Sequence, residues 1–189
     1  VKIYNSTNCT VKDSYIYDVD GGVDIKDCGD RANLIPGNCG VENCEIENFA
    51  RLTKTYTTAA NLSNGCGNYI RNNEIHNAQH MAIGFSGPYH EISFNNMYNV
   101  CQEADDSGVI YTGRSLATHW GSVVKNNYIH DCTPNVTYRI GTIAVYLDDF
   151  LSGVTVAGNV IENMQLAGMF SGYNNIWTNN IFINCTSNS

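Results

Sequence analysis

The five residues NEIHN, Asn73 to Asn77, begin small and polar, place one apolar residue at the centre and close on asparagine. The same phrase returns as SYIYD at Ser14, CEIEN at Cys44, NNMYN at Asn95, NYIHD at Asn127, NVIEN at Asn159 and NIFIN at Asn180. The starts are separated by 30, 29, 22, 32, 32 and 21 residues. A short alternating phrase rich in branched residues reads as a strand that runs into a polar turn. No stretch holds a helical period for three turns. Seven short strands at this spacing predict stacked coils about 4.8 Å apart. The expected fold is all-β: a single-stranded parallel β-helix, a solenoid of about seven coils in one domain over residues 1–189. Ile16, Ile46, Ile75, Met97, Ile129, Ile161 and Phe182 then form an interior column, and the Asn and Asp columns mark bends. A β-sandwich is the rival, but its strands need hairpin turns at more regular spacing, and few hairpin dipeptides occur.

A net charge of −8 with only ten Lys and Arg argues against nucleic acid as a partner. It also favours a neutral glycan over a strongly anionic one. No apolar run approaches the roughly 20 residues that span a bilayer, so no membrane partner is expected. The opening VKIYNSTNCTVKDSYI is already within the repeat, so the chain reads as a mature or excised portion of a longer protein. Eight cysteines and five N-x-[ST] sequons, at Asn5, Asn8, Asn61, Asn135 and Asn184, point to a secreted, extracellular glycoprotein. Cys9 and Cys39 stand five residues before successive phrases, and Cys101 and Cys132 follow successive bends. Both pairs are disulfide candidates. Partners for Cys28, Cys44, Cys66 and Cys185 are not assignable.

A second apolar strand precedes each phrase. HMAIGFSG from His80, SGVIYTGR from Ser107 and TIAVYLDD from Thr142 overlay so that Ile83, Ile110 and Val145 share an inward column. Phe85, Thr112 and Leu147 share the next. Gly84, Tyr111 and Tyr146 then face outward, as do Ser86, Gly113 and Asp148. Arg114 falls level with Asp149, and Asp106 beside Gln79 and His80. One outer face is expected to carry Glu103, Asp105, Asp106 and His80 at one end and Asp148, Asp149 and Arg114 at the other. The outward tyrosines lie between, placed to stack on sugar rings, and the acids are suited to general acid, base or nucleophile roles. The competing reading takes each acid pair as a turn, since Asp-Asp-Ser-Gly is a turn sequence. His76 and His130 read as turn or surface residues, and Trp120 and Trp177 as packing residues. No metal site, cofactor motif or Ser-His-Asp arrangement is evident.

Three segments carry a family resemblance: RIGTIAVYLDDFLSGVTVAGNVIENM, HNAQHMAIGFSGPYHEISFNNMYNVCQEADDSGVIYTGR and PGNCGVENCEIENF. They resemble secreted right-handed parallel β-helix repeat proteins of the pectate-lyase-like superfamily, a group similar to glycoside hydrolase family 141. The most specific parts are Asp105 to Arg114 and Ala144 to Gly153. The resemblance implies that Asp106 and Asp148 are the motif acids, with Asp105 and Asp149 as neighbours and Arg114 and His80 as motif companions. It also implies a glycan substrate and fucosidase- or xylanase-like chemistry. Gly87-Pro88-Tyr89-His90 departs from the family's Gly-Asn-Asp-His turn, and Thr58 stands where a proline is common.

The expectation is a glycoside hydrolase using the Asp106–Asp148 pair. One difficulty accompanies it. Asp106 is level with Gly141, so a straight strand sets it about 20 Å from Asp148. Either the chain bends at Asp106, or the pair lies within one cluster, Asp148 with Asp149 or Asp106 with Glu103. A polysaccharide lyase ranks lower, because Arg114 is the only base expected on that face. The rival class is a structural fibre or matrix subunit, a homo-oligomer stacking end to end through unpaired strand edges. A glycan on Asn61, which aligns with Gly84, would crowd the same face and count against the enzyme.

Overall fold

A computed structural model describes residues 1–114, 119–135 and 139–186. The described chain winds through three parallel sheets of seven strands each. The first sheet comprises Lys2–Tyr4, Val23–Lys26, Ala60–Ser63, Ile83–Phe85, Ser107–Thr112, Thr142–Leu147 and Leu166–Phe170. The second comprises Thr10–Lys12, Gly40–Glu42, Tyr69–Arg71, Glu91–Ser93, Val123–Lys125, Thr155–Ala157 and Ile176–Thr178. The third is the repeated phrase itself: Tyr15–Tyr17, Glu45–Glu47, Glu74–His76, Asn96–Tyr98, Tyr128–His130, Val160–Glu162 and Ile181–Ile183. The chain visits the sheets in turn, which is the seven-coil parallel β-helix expected from the repeat.

The register is the one the phrase predicts. Ile16, Ile46, Ile75, Met97, Ile129, Ile161 and Phe182 are consecutive in-register partners. The five central members are completely buried. Ile83, Ile110 and Val145 form a second such column and Phe85, Thr112 and Leu147 a third.

The polar positions of the phrase do two different jobs. Its last residue sits in left-handed backbone in every coil, from Asp18 through Asn48, Asn77, Asn99, Asp131 and Asn163 to Asn184, with φ between 49° and 56°. Asn and Asp tolerate that region better than other side-chain-bearing residues. Its first residue points inward as a buried amide ladder. The Nδ2 of Asn73 donates to Oδ1 of Asn95 (2.9 Å), Asn95 to Asn127 (3.0 Å), Asn127 to Asn159 (3.0 Å) and Asn159 to Asn180 (2.9 Å). Each of those acceptor oxygens also takes the backbone N–H of the donating residue, and Nδ2 of Asn95, Asn127 and Asn159 also reaches a carbonyl of the preceding coil, Ile70, Ile92 and Val124. Corner backbone that no sheet ladder satisfies is thereby paired inside the solenoid.

All eight cysteines carry free thiols in this structure. Cys9 lies one coil below Cys39 in register, as the spacing suggests, since Thr10 pairs with Gly40. Cys101 and Cys132 are offset instead: Tyr98 pairs with His130, so Cys132 stacks over Val100. Asn5, Asn8, Asn135 and Asn184, the asparagines of four sequons, are exposed. Asn61 is half-buried, and its Nδ2 already donates to Ser63 Oγ (2.7 Å) and Asp24 Oδ1 (3.2 Å).

Candidate functional site

The site lies on the outer face of the first sheet. Tyr111 pairs with Tyr146 and Gly84 with Asn61, as the overlay predicts. The tyrosines are not open stacking platforms, however. Tyr146 is buried and Tyr111 half-buried. Their rings meet edge to face at 5.5 Å, and each hydroxyl is turned onto a carboxylate of the other's coil. Tyr111 donates to Asp148 Oδ2 (3.1 Å), and Tyr146 donates to Asp106 Oδ1 (3.1 Å). Burial, then the Asp148 charge, pushes both phenols well above their ordinary range. Both therefore remain protonated donors.

This arrangement removes the 20 Å difficulty. Asp106 reaches the hydroxyl of a residue only two positions before Asp148, and the two acids border one hollow of about 220 Å³. The strand does not run straight: a side chain placed on Gly108 would come 2.7 Å from Tyr146 Cβ, although the register partner of Gly108 is Ile143. The chain therefore folds forward across the face, and Asp106 enters that bend in left-handed backbone (φ 52°). Glycine is required at 108 by this close approach.

The other expected acids have structural duties. Asp105 accepts the backbone N–H groups of Arg139 (3.0 Å), Ile140 (3.1 Å) and Gly141 (2.7 Å), which hold its carboxyl below the usual range. Asp149 occupies a left-handed turn position, donates its N–H to Asp148 Oδ1 (2.8 Å) and pairs with exposed Arg114 at 3.7 Å. Glu103 is exposed and ion-paired with Lys54. Neither in-cluster alternative is thus a free carboxyl pair. Arg114 is not the only base on the face, because Lys54 reaches it as well.

Lys54 arrives on a strap that the repeat reading left out, residues 50–58. Asp20 anchors the strap by accepting the N–H groups of Leu52 and Thr53 at 2.9 Å each, and Ala50 N–H bonds Asp20 O at 2.8 Å. Lys54–Glu103 ties it to the other side. Between the anchors Tyr56, 71% exposed, borders three adjoining hollows of about 500, 190 and 220 Å³ along the first sheet. The last of these is lined by Tyr56, His80, Asp106, Tyr111 and Asp148 among others. His80 is buried there at 6.1 Å from the Tyr56 ring, its Nδ1 lacks a partner, and burial lowers its pKa, so the imidazole is neutral at pH 7. Asn61 borders the other two hollows. The residues sequence reasoning missed are Tyr56, Lys54 and Gly108. The sequence signal for the strap was the seven or eight residues by which the Cys44-to-Asn73 interval exceeds the shortest coils.

His76 is neither turn nor solvent-facing: it is buried, stacked on Tyr98 at 4.8 Å and flanked by Glu45 and Glu47. His130 continues the same stack at 5.0 Å from Tyr98. Trp177 packs against the core and on Phe170, as expected of a packing residue. Trp120 is 48% exposed and lies over Gly153.

Among the described residues, no group of three or more His, Cys, Asp or Glu is placed to hold a metal ion. No curated protein and no solved structure matches the chain. A family model described as "Right handed beta helix region" matches residues 63–189, two thirds of the sequence, including Asp106, Tyr111, Tyr146 and Asp148. With its three parallel sheets and seven coils, the chain belongs to the right-handed β-helix family.

Proposed function

We propose that this chain is an extracellular carbohydrate-active protein, a glycoside hydrolase acting on a neutral glycan through Asp106 and Asp148. The observation that carries the reading is that Asp106 and Asp148 border one hollow, each accepting a hydroxyl of the paired Tyr146 and Tyr111. Carboxyl pairs across such a site either attack the sugar directly or activate an intervening water. One acid protonates the leaving oxygen, and the other serves as nucleophile or base. The pair borders a hollow beside an exposed aromatic ring, Tyr56, which suits an uncharged ring with apolar C–H faces. Tyr146 and Tyr111 are positioning residues in this scheme, the first holding Asp106 and the second Asp148.

The test is release of reducing sugar from xylan and from fucosylated oligosaccharides. Asp106→Asn and Asp148→Asn are each expected to lower kcat by about 10²–10⁴-fold with unchanged melting temperature. Retained activity in both variants rejects the pair. Concentration-dependent filaments in sedimentation, without sugar release, would decide instead for a structural subunit stacking end to end.

A further inference from the structure

The corner between the first and second sheets is tight in one coil and interrupted in the coil before it. In the tight version the chain leaves Ala60–Ser63, passes Asn64, Gly65, Cys66 and Gly67, and reaches Asn68 at the start of Tyr69–Arg71. Left-handed backbone at Asn64, Gly65 and Gly67 makes the corner. A side chain on Gly65 would meet Asn68 Nδ2 at 3.0 Å, so positions 65 and 68 face each other closely.

The preceding coil stacks on this one residue by residue at both sides of the corner. Cys28 lies on Gly65: a Cβ there would be 2.3 Å from Cys28 O and 2.9 Å from Cys28 N. Cys39 lies on Asn68, because Gly40 pairs with Tyr69 and Tyr69 N–H bonds Cys39 O at 2.9 Å. Ten residues separate Cys28 from Cys39, including the small antiparallel hairpin Gly29–Asp30 with Ile35–Pro36. Yet the coil above spans the same two positions in three steps. Residues three apart across a bend have Cα atoms within about 7 Å, and a disulfide spans about 4.4–6.8 Å.

Three further observations converge. The Asn68 carboxamide clamps both cysteine backbones, donating from Nδ2 to Cys28 O (2.9 Å) and accepting at Oδ1 from Cys39 N–H (3.0 Å). Both cysteines are fully buried and belong to the same core cluster. A charge on the Cys28 thiolate would hold the Cys39 thiol up, so the two side chains lie within electrostatic range of one another. Cys9, in register with Cys39, is exposed and is the competing partner.

We infer that Cys28 and Cys39 are a matched pair that closes into a disulfide across the base of the hairpin excursion. With glutathione disulfide as oxidant, one cysteine thiolate attacks a glutathione sulfur and releases one glutathione. The second thiolate then displaces the other glutathione from the mixed disulfide. Two protein thiols are oxidised, one glutathione disulfide becomes two glutathione thiols, and the two thiol protons pass to the released thiolates. Burial pushes the Cys39 thiol up to about 11 in the folded chain, which slows exchange there, so closure belongs to folding.

The test refolds the full chain from reduced, unfolded protein in reduced and oxidised glutathione. Alkylation with iodoacetamide and digestion with trypsin and a Glu-specific protease follow. Cleavage after Lys26, Arg31 and Glu42 isolates Cys28 in 27–31 and Cys39 in 32–42, away from Cys44. The expected result is a cross-linked species of these two peptides that survives Cys9→Ser and vanishes in Cys28→Ser and in Cys39→Ser. Recovery of both peptides alkylated, or of either one linked to Cys9 or Cys66, overturns the pairing.

Discussion

Asn127 shows how much one side chain carries in this fold. Its Oδ1 takes both the backbone N–H and the Nδ2 of Asn95, while its own Nδ2 reaches Ile92 O and Asn159 Oδ1. Replacing it with leucine of similar size leaves Asn95 N–H and Ile92 O buried without that partner. Each orphaned buried group costs about 1–3 kcal/mol, so Asn127→Leu is expected to lose about 2–6 kcal/mol in urea unfolding. A loss below about 1 kcal/mol would mean that water or a neighbour replaces the amide. Asn163, four residues past the ladder Asn159, is different: it sits outside in left-handed backbone and its side chain donates only an exposed hydrogen bond to Asp131 Oδ1 (2.8 Å), so Asn163→Gly, which keeps that backbone, should cost less than Asn127→Leu. The two kinds of asparagine were legible as columns in the sequence. Which one carried buried hydrogen bonds was not, because both are small, polar and spaced alike.

At the scale of the element, the irregular repeat lengths are the lengths of excursions on a basic coil of 21 or 22 residues. The hairpin at 29–36 lengthens one coil and the strap at 50–58 the next, which brings Lys54 and Tyr56 over the candidate site. Strand Ser107–Thr112 is bent rather than lengthened, and Gly108 is the residue that allows it. Gly108→Ala must displace Tyr146 by the 2.7 Å contact it creates. We expect it to lower any hydrolytic activity by at least about tenfold while the far-ultraviolet dichroism stays that of the parent. Tyr146→Phe deletes the donor to Asp106 with little change in shape, and should lower kcat more than it alters KM. If Tyr146→Phe leaves kcat unchanged, the hydroxyl does not position the pair. The alignment found the residues on the correct strands and columns. It did not find the distance, since alternation fixes a side chain's face and not the path of a strand that folds back over its own sheet.

For the whole molecule, a closed solenoid must bury polar groups wherever its corners are built from side chains, and three histidines show the consequence. His90 accepts Asn68 N–H at Nδ1 (3.0 Å), with Nε2 close to Asn64 O and Ser86 O. Burial lowers its pKa, and that of His80. Burial, with the charges of His90 and Arg31, lowers His119 to about 4. All three are depressed below the unfolded value of about 6.5. The unfolded chain therefore binds more protons below that pH, and their stabilisation is complete above it and falls as pH drops toward 4. His119 alone is expected to remove about 2 kcal/mol between pH 7.5 and pH 5. Urea midpoints at those two pH values measure this, and an equal or higher midpoint at pH 5 would contradict it. Closing the loop between Cys28 and Cys39 should act in the opposite direction, adding about 2–4 kcal/mol through the unfolded state, seen as a higher midpoint without reductant. By itself the sequence determined the parallel coils, their number, the interior columns and the outer face that carries Asp106, Tyr111, Tyr146 and Asp148, because strand alternation and coil stacking are periodic and local. Only the tertiary structure decided that the two aspartates border one hollow, that Asp105 and Asp149 are turn residues, and that Tyr56 stands beside them. Those contacts depend on where non-repeating segments fold across a repeating frame, and no period in the sequence encodes that path.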